Sequence, residues 1–309
     1  MEIIRTPGEM RCWADARRAG RSRIGLVPTM GYLHAGHISL LQLAAGCGCD
    51  AIVASIFVNP TQFSPGEDYE KYPRDEKGDF EALEKAGVSA VYVPSAEDMY
   101  PEGYQTYVEA EIASRGLCGD RRPGHFRGVA TVVAKLFLAV KPHLAVFGEK
   151  DYQQLAVIRA MTRDLDFGVE IVGAPIIREE DGLAMSSRNV YLNGEQRVAA
   201  LCLSRGLFRA KALFDDGVRV AETLVSAACQ EIEAQPLAGL AYAEGRDPVT
   251  LAPLSGAVDA ITILVSAKIG PARLIDNITL RTAEPRRTGT LISSTSERGQ
   301  TGFRKSYNR

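Results

Sequence analysis

Histidine and tryptophan are scarce in this chain: four histidines and one tryptophan among 309 residues. No apolar run is long enough to cross a bilayer as a helix, so no membrane partner is expected. The opening residues Met1-Glu2-Ile3-Ile4-Arg5 lack the basic stretch and apolar core of a secretory signal. The six cysteines, at 12, 47, 49, 118, 202 and 229, are scattered. Only Cys47-Gly48-Cys49 is close-spaced, and no second pair or nearby histidine completes a zinc set. Reduced thiols in a cytoplasmic protein are therefore expected. Charge is also nearly balanced, at −2, which gives no reason to expect a nucleic-acid partner.

What charge asymmetry exists lies at the C-terminus. Residues 284–309 carry six basic and two acidic side chains, which leaves the body acidic. This segment is rich in Ser, Thr, Gly and Arg and has no apolar periodicity, so a solvated, disordered appendage is expected there. The rest is ordinary for a globular protein, with 46% hydrophobic and 24% charged residues, and is long enough for two domains.

Short β-branched runs alternate with helical patterns. Strands are expected at Ile24–Val27, Ala51–Val58, Ala90–Val93, Leu144–Phe147, Val169–Val172 and Pro175–Ile177. Helices are expected at Ile38–Ala45, Lys77–Lys85, Thr131–Val140 and Tyr152–Leu165. This alternation predicts an α/β fold, with a mostly parallel sheet covered on both faces and ligands bound at the carboxyl ends of the strands. Beyond Ile177 the texture changes to two long helices, Glu195–Phe214 and Val220–Ala234, then a strand at Val258–Val265 and the closing run Arg273–Asn277. That predicts a smaller α+β domain. The expected division is 1–176, 177–283 and the tail.

Half the histidines fall in one turn. Pro28-Thr29-Met30-Gly31-Tyr32-Leu33-His34-Ala35-Gly36-His37 joins the first strand to a buried helix. A helix N-terminus offers free N–H groups to an anion, and imidazole N–H groups add donors. Glycine lets the backbone come close to a ligand. Two further polar clusters sit at comparable places. Gly148-Glu149-Lys150-Asp151 follows a strand, and Asp181-Gly182-Leu183-Ala184-Met185-Ser186-Ser187-Arg188-Asn189 lies at the domain boundary with hydroxyls and an arginine suited to a polyphosphate. Asn59-Pro60-Thr61-Gln62 follows a third strand end.

Taken in order, these pieces resemble the pantothenate synthetase (pantoate–β-alanine ligase) family of the HIGH-motif nucleotidyltransferases. Matching blocks are Val27–Gly31, His34–His37, Ser55–Phe63, Tyr72-Pro73-Arg74, Arg122–Val129, Phe147–Gln154, Asp181–Asn189 and Ala272–Asn277, within roughly residues 1 to 280. The resemblance implies a Rossmann-like, doubly wound sheet, a homodimer, and ATP and Mg2+ as co-substrate and cofactor. It implies that ATP and pantoate form pantoyl adenylate, which β-alanine then converts to pantothenate and AMP. By the same resemblance His34 and His37 meet the ATP phosphates, with His37 as proton donor, while Lys150, Ser186, Ser187 and Arg188 hold phosphate oxygens. Met30, Gly31, Tyr32, Leu33, Ala35, Gly36, Gly148, Glu149, Asp151, Ile177 and Met185 would surround the nucleotide. Gln62 and Gln154 would bind pantoate, Gln62 also lying near β-alanine, with Asn59, Tyr72 and Arg122 as further candidates. Asp79 is the metal candidate, since some relatives carry adjacent aspartates where this chain has Gly78-Asp79. Ser64–Arg74 reads as a lid that keeps water from an acyl adenylate. His125 and His143 are expected to be structural. Other adenylyl or cytidylyl transferases, a reduced aminoacyl-tRNA synthetase and a silent nucleotide-binding protein are the alternatives. The acidic body speaks against a tRNA partner.

Overall fold

In a computed structural model the described residues are Met1–Thr282; the basic tail lies outside them. Six parallel strands form one sheet: β1 (Glu2–Ile4), β2 (Ile24–Thr29), β3 (Ala51–Ile56), β4 (Ala90–Tyr92), β5 (Leu144–Gly148) and β6 (Glu170–Ala174). Their order is β1-β4-β3-β2-β5-β6. From β4 to β6 this is the doubly wound arrangement, with the chain turning from one side of β2 to the other. A crevice opens at that switch point, outside the carboxyl ends of β2 and β5.

The strand sequences explain why both faces are covered. In β5, Leu144 and Val146 pack into one apolar cluster, while Ala145 and Phe147 pack into another on the opposite face. A run apolar at every position is what a sheet buried on both sides requires. Helix α2 (Ala35–Gly46) covers one face through Leu40, Leu41 and Ala44. Helices α1 (Pro7–Ala19), α6 (His125–Val140) and α7 (Tyr152–Asp164) cover the other, joined there by Trp13, Phe137 and Ile158. Helix α3 (Glu76–Lys85) and the short α4 (Ala96–Met99) and α5 (Leu117–Arg121) complete this part.

After β6 come α8 (Gly194–Asp215) and α9 (Ala221–Glu233), then an antiparallel sheet of β7 (Ala238–Arg246), β8 (Ala260–Ile269) and β9 (Ala272–Arg281). These elements have their own apolar cluster, centred on Leu203, Leu207, Leu224 and Ile263.

Several expectations need correction. Pro175–Ile177 is not a strand: β6 ends at Ala174, and the chain turns into a narrow loop in which Met185 N–H donates to the Ile177 carbonyl at 2.9 Å. Proline there has no N–H for a ladder, which suits an exit from the sheet. Elements before Ile24 were not expected. Helix α1 buries only Met10, Trp13 and Ala14 among charged neighbours, but Thr6 and Glu9 cap it reciprocally at 3.2 and 3.0 Å. Strand β7 was also missed. None of its residues is fully buried, and two glycines and three alanines blur any alternation. No helix among the described residues is long and apolar enough to cross a membrane.

Candidate active site

The turn after β2 is shaped before any ligand arrives. Gly31 and Tyr32 both take left-handed backbone, with φ of +79° and +52°. A side chain at position 31 would be strained there and would also press on Asp79 Oδ2 at 2.8 Å. Buried Asp79, from α3, accepts hydrogen bonds from Tyr32 N–H at 2.8 Å and Leu33 N–H at 2.7 Å. Asp79 therefore pins the turn. No group of three or more His, Cys, Asp or Glu side chains converges among the described residues, so the expected metal role of Asp79 finds no surrounding ligand set.

His34 caps α2. Its Nδ1 accepts from Gly36 N–H at 3.1 Å, and His37 Nδ1 accepts from His34 N–H at 3.2 Å. Glycine at 36 allows this, because a Cβ there would stand 2.9 Å from the His34 ring. With both Nδ1 atoms accepting, the ring protons of the neutral forms sit on Nε2. Burial, then Lys150, lowers the pKa of His34; burial, His34 and Lys150 push His37 down to about 3. The pair, with ring centroids 4.0 Å apart, is thus neutral at pH 7 and offers two N–H donors without an imidazolium.

Both rings line a pocket of about 230 Å³ at the switch point. Most of the expected site residues meet there. Met30 and Gly36 come from the β2 turn, Gly148, Lys150 and Asp151 from the end of β5, and Ile177, Met185, Ser186, Ser187 and Arg188 from the loop after β6. Asn59, Gln62, Gln154, Tyr72 and Arg122 also line it. Gly31, Tyr32, Leu33, Ala35 and Glu149 do not. Their part is backbone: the Tyr32 carbonyl accepts from Ser187 Oγ at 3.2 Å, which ties the β2 turn to the serine loop.

The amides are not equivalent. The Gln154 side chain makes no hydrogen bond among the described residues, so both ends of its amide are available to the pocket. Gln62 accepts from Asn59 Nδ2 at 3.0 Å and places its own Nε2 3.1 Å from Met30 Sδ, which leaves an N–H on the pocket side. Asn59, expected at the substrate, is 1% exposed, and its polar groups are taken by Gln62, Gly128, Thr61 and Tyr100. It orients Gln62. Helix α6 also lines the pocket, with Val129, Val132 and Val133, an apolar wall that was not foreseen.

His125 is structural in a more specific sense than expected. Its Nδ1–H donates to the Gln62 carbonyl at 2.8 Å and its Nε2 accepts from Arg122 Nη1 at 2.9 Å. Burial and the Arg122 guanidinium push its pKa down to about 3. Below pH 6.5 the unfolded chain takes up a proton that folded His125 refuses. Stability then falls with falling pH, about tenfold in folding equilibrium per unit for this group, until pH nears 3; above 6.5 it adds no pH dependence. Urea titrations at pH 7 and pH 5 should show a pH slope smaller by close to one proton in His125→Gln.

The Ser64–Arg74 segment is seated on the site by two ion pairs. Glu67 accepts from Arg122 at 2.8 and 2.5 Å, and Asp68 accepts from Arg188 at 2.8 and 3.0 Å. Arg188, expected on phosphate, thus pairs with Asp68 of this segment.

Two further residues were overlooked, although both lie in the block Ala272–Asn277. Asn277 Nδ2 donates to the carbonyls of Glu149 and Lys150, at 2.9 and 3.0 Å. Asp276 accepts from Arg178 at 2.6 and 3.0 Å, at the base of the serine loop. One strand of the small sheet therefore holds both the lysine turn and the serine loop. Buried polar residues adjacent in a strand were the available signal.

Fold and pocket together define a Rossmann-like α/β protein with paired histidines at the switch point of its sheet. The family described as pantoate-beta-alanine ligase matches residues 2–279. A pantothenate synthetase of Geobacter sulfurreducens is 52% identical over 281 residues, covering 91% of this chain and 99% of the relative. One from Myxococcus xanthus is 51% identical over 283 residues, covering 90% and 96%. The crystal structure of the Thermus thermophilus pantothenate synthetase superposes with a TM-score of 0.84 at 48% identity, over 90% of this chain and 99% of the other. That of the Francisella tularensis pantoate-beta-alanine ligase, complexed with an ATP compound and β-alanine, gives 0.73 at 33% identity, over 90% and 97%. The chain belongs to the pantoate–β-alanine ligase family, and is an enzyme of the ligase class.

Proposed function

We propose that this enzyme joins pantoate to β-alanine at the expense of ATP through pantoyl adenylate. The observation that carries the reading is the composition of one pocket: two neutral histidine N–H donors and Lys150 at one end, and the Gln62 and Gln154 amides against the Val129, Val132 and Val133 wall. Triphosphate fits the first end. Pantoate fits the second, its hydroxyls and carboxylate on the amides and its gem-dimethyl group on the valines.

In the first step a pantoate carboxylate oxygen bonds to the α-phosphorus, and the bond to the bridging oxygen of the β-phosphate breaks, releasing pyrophosphate. Charge grows on phosphate oxygens, where Nε2–H of His34 and His37 and the Lys150 ammonium stabilise it. His37 acts here as a hydrogen-bond donor in its neutral form. In the second step the β-alanine nitrogen bonds to the acyl carbon, the carbon–oxygen bond to AMP breaks, and the nitrogen loses a proton. The lid, held by Glu67 and Asp68, excludes water from the mixed anhydride. Residues 1–176 serve as the nucleotide- and pantoate-binding domain and 177–283 as the part that closes it, a division supported by their largely distinct apolar clusters, which a small cluster of Leu117, Tyr152, Leu251 and Leu264 bridges. Homodimer, cytoplasmic location and magnesium rest on the family resemblance; among the described residues the cations nearest the phosphates would be Lys150 and Arg188.

Pantoate-dependent exchange of pyrophosphate into ATP, followed by AMP release on adding β-alanine, tests the reading. Exchange driven by an amino acid, or AMP release indifferent to pantoate, would refute it. Gln154→Ala should weaken pantoate roughly 10- to 100-fold, because the pantoate groups bound by the amide are left without partners, while calorimetric ATP affinity stays near wild type. An equal fall in both affinities contradicts the partition of the pocket.

A further inference from the structure

A second cleft, of about 890 Å³, lies between the carboxyl edge of the parallel sheet and β9. It adjoins the first pocket, since Arg122, His125, Lys150, Gln154 and Arg188 line both. Arg273 projects from β9 into its wall, with 30% of its side chain exposed. Its nearest carboxylate, Glu67, is 3.8 Å away, beyond hydrogen-bond reach. The Glu67 oxygens are already engaged by Arg122 at 2.8 and 2.5 Å and by Ser64 N–H at 3.1 Å. Among the described residues, the Arg273 guanidinium makes no hydrogen bond. Two guanidinium groups thus share one carboxylate, and the second keeps its planar fork of donors facing the cleft.

Burial and the neighbouring Arg122 lower the pKa of Arg273, as befits a cation whose charge is incompletely compensated. A half-buried guanidinium that shares its only nearby carboxylate with a second guanidinium, out of hydrogen-bond reach, is unfavourable unless a ligand supplies a further anion. Its position says which anion. Arg122 also reaches the Gln62 carbonyl at 3.3 Å, so Arg273 stands on the amide side of the site, away from the histidine pair that serves phosphate.

Resting on the function proposed above, we infer that Arg273 anchors the carboxylate of the incoming amino acid, β-alanine, and so points its amine across the shared wall toward the acyl carbon. Planar guanidinium pairs with carboxylate through two parallel hydrogen bonds, which fixes direction as well as position. Selection for a carboxylate at a set distance from the amine follows.

The test separates the half-reactions. Arg273→Ala should raise the KM for β-alanine roughly 10- to 100-fold, while pantoate-dependent pyrophosphate exchange, measured without β-alanine, remains within about twofold. That retained exchange also reports that the variant is folded. Propylamine, the same length without the carboxylate, provides the second readout. The wild-type preference for β-alanine over propylamine should collapse in Arg273→Ala and partly return in Arg273→Lys. An unchanged β-alanine KM overturns the inference alone, as does loss of exchange in the variant, which would assign Arg273 to the nucleotide. A wild-type enzyme without pantoate-dependent exchange overturns the function and this inference with it.

Discussion

Lys150→Ala is expected to slow pantoate-dependent pyrophosphate exchange by roughly 10²–10³-fold, the loss that follows removal of one preorganised donor from developing negative charge. The lysine lies in the short turn just after β5 at the switch point, lines the pocket with His34 and His37, and makes no salt bridge among the described residues. Its removal leaves no buried carboxylate behind, so the thermal midpoint should move little. His37→Ala should lower the rate by a comparable factor. Its pH profile adds a discriminating result. An imidazolium acid of ordinary pKa would lose activity as pH rises through 6.5. Because burial, His34 and Lys150 hold His37 neutral, down to about 3 in the free enzyme, the wild-type rate should instead stay level from pH 6.5 to 8. Unchanged exchange in both variants would remove the pair from the chemistry.

The two histidines, His34 and His37, were legible in the sequence because their signal is local. A strand followed by a glycine-containing turn with two histidines can be read from ten residues, and the structure puts His34 and His37 at the helix start where that reading expects them. The alternation of apolar strands and helices was equally legible, since a sheet buried on both faces leaves runs such as Leu144–Phe147 with no polar break. Less legible was anything that depends on distant partners. Asp79 looks like a free acid in sequence, yet it is occupied by backbone N–H groups 46 and 47 residues away. Asn59 looks like a substrate amide but is consumed by its neighbours, while Gln153 and Gln154, adjacent in α7, divide into a buried brace and an open pocket residue. Strand β7 failed for another reason: a strand without a buried face carries no periodic signature.

Asn277→Asp is a change of one atom group with a large expected effect. Asn277 is 4% exposed, and its Nδ2 is shared between two carbonyl oxygens, those of Glu149 and Lys150. An ionised aspartate would turn an oxygen toward both carbonyls, beside the buried Asp276 carboxylate. A protonated one could satisfy only one of them. In either form at least one buried carbonyl loses its partner, at about 1–3 kcal/mol, and the ionised form adds an uncompensated buried charge. The folded enzyme should therefore lose several degrees of thermal midpoint. Exchange should suffer more, because the lysine turn is released from the strand that aligns it, and misplacement by about 1 Å can lower a rate 10²-fold. The sign of the pH dependence identifies the cause. Burial beside Asp276 raises the pKa of the new carboxyl, so lowering the pH from 8 to 6 should protonate it, restore one donor and recover part of the rate. Asn277→Ala has no proton to gain and should be impaired at every pH in that range. Wild-type exchange and midpoint in Asn277→Asp would show that β9 does not hold Lys150 in place.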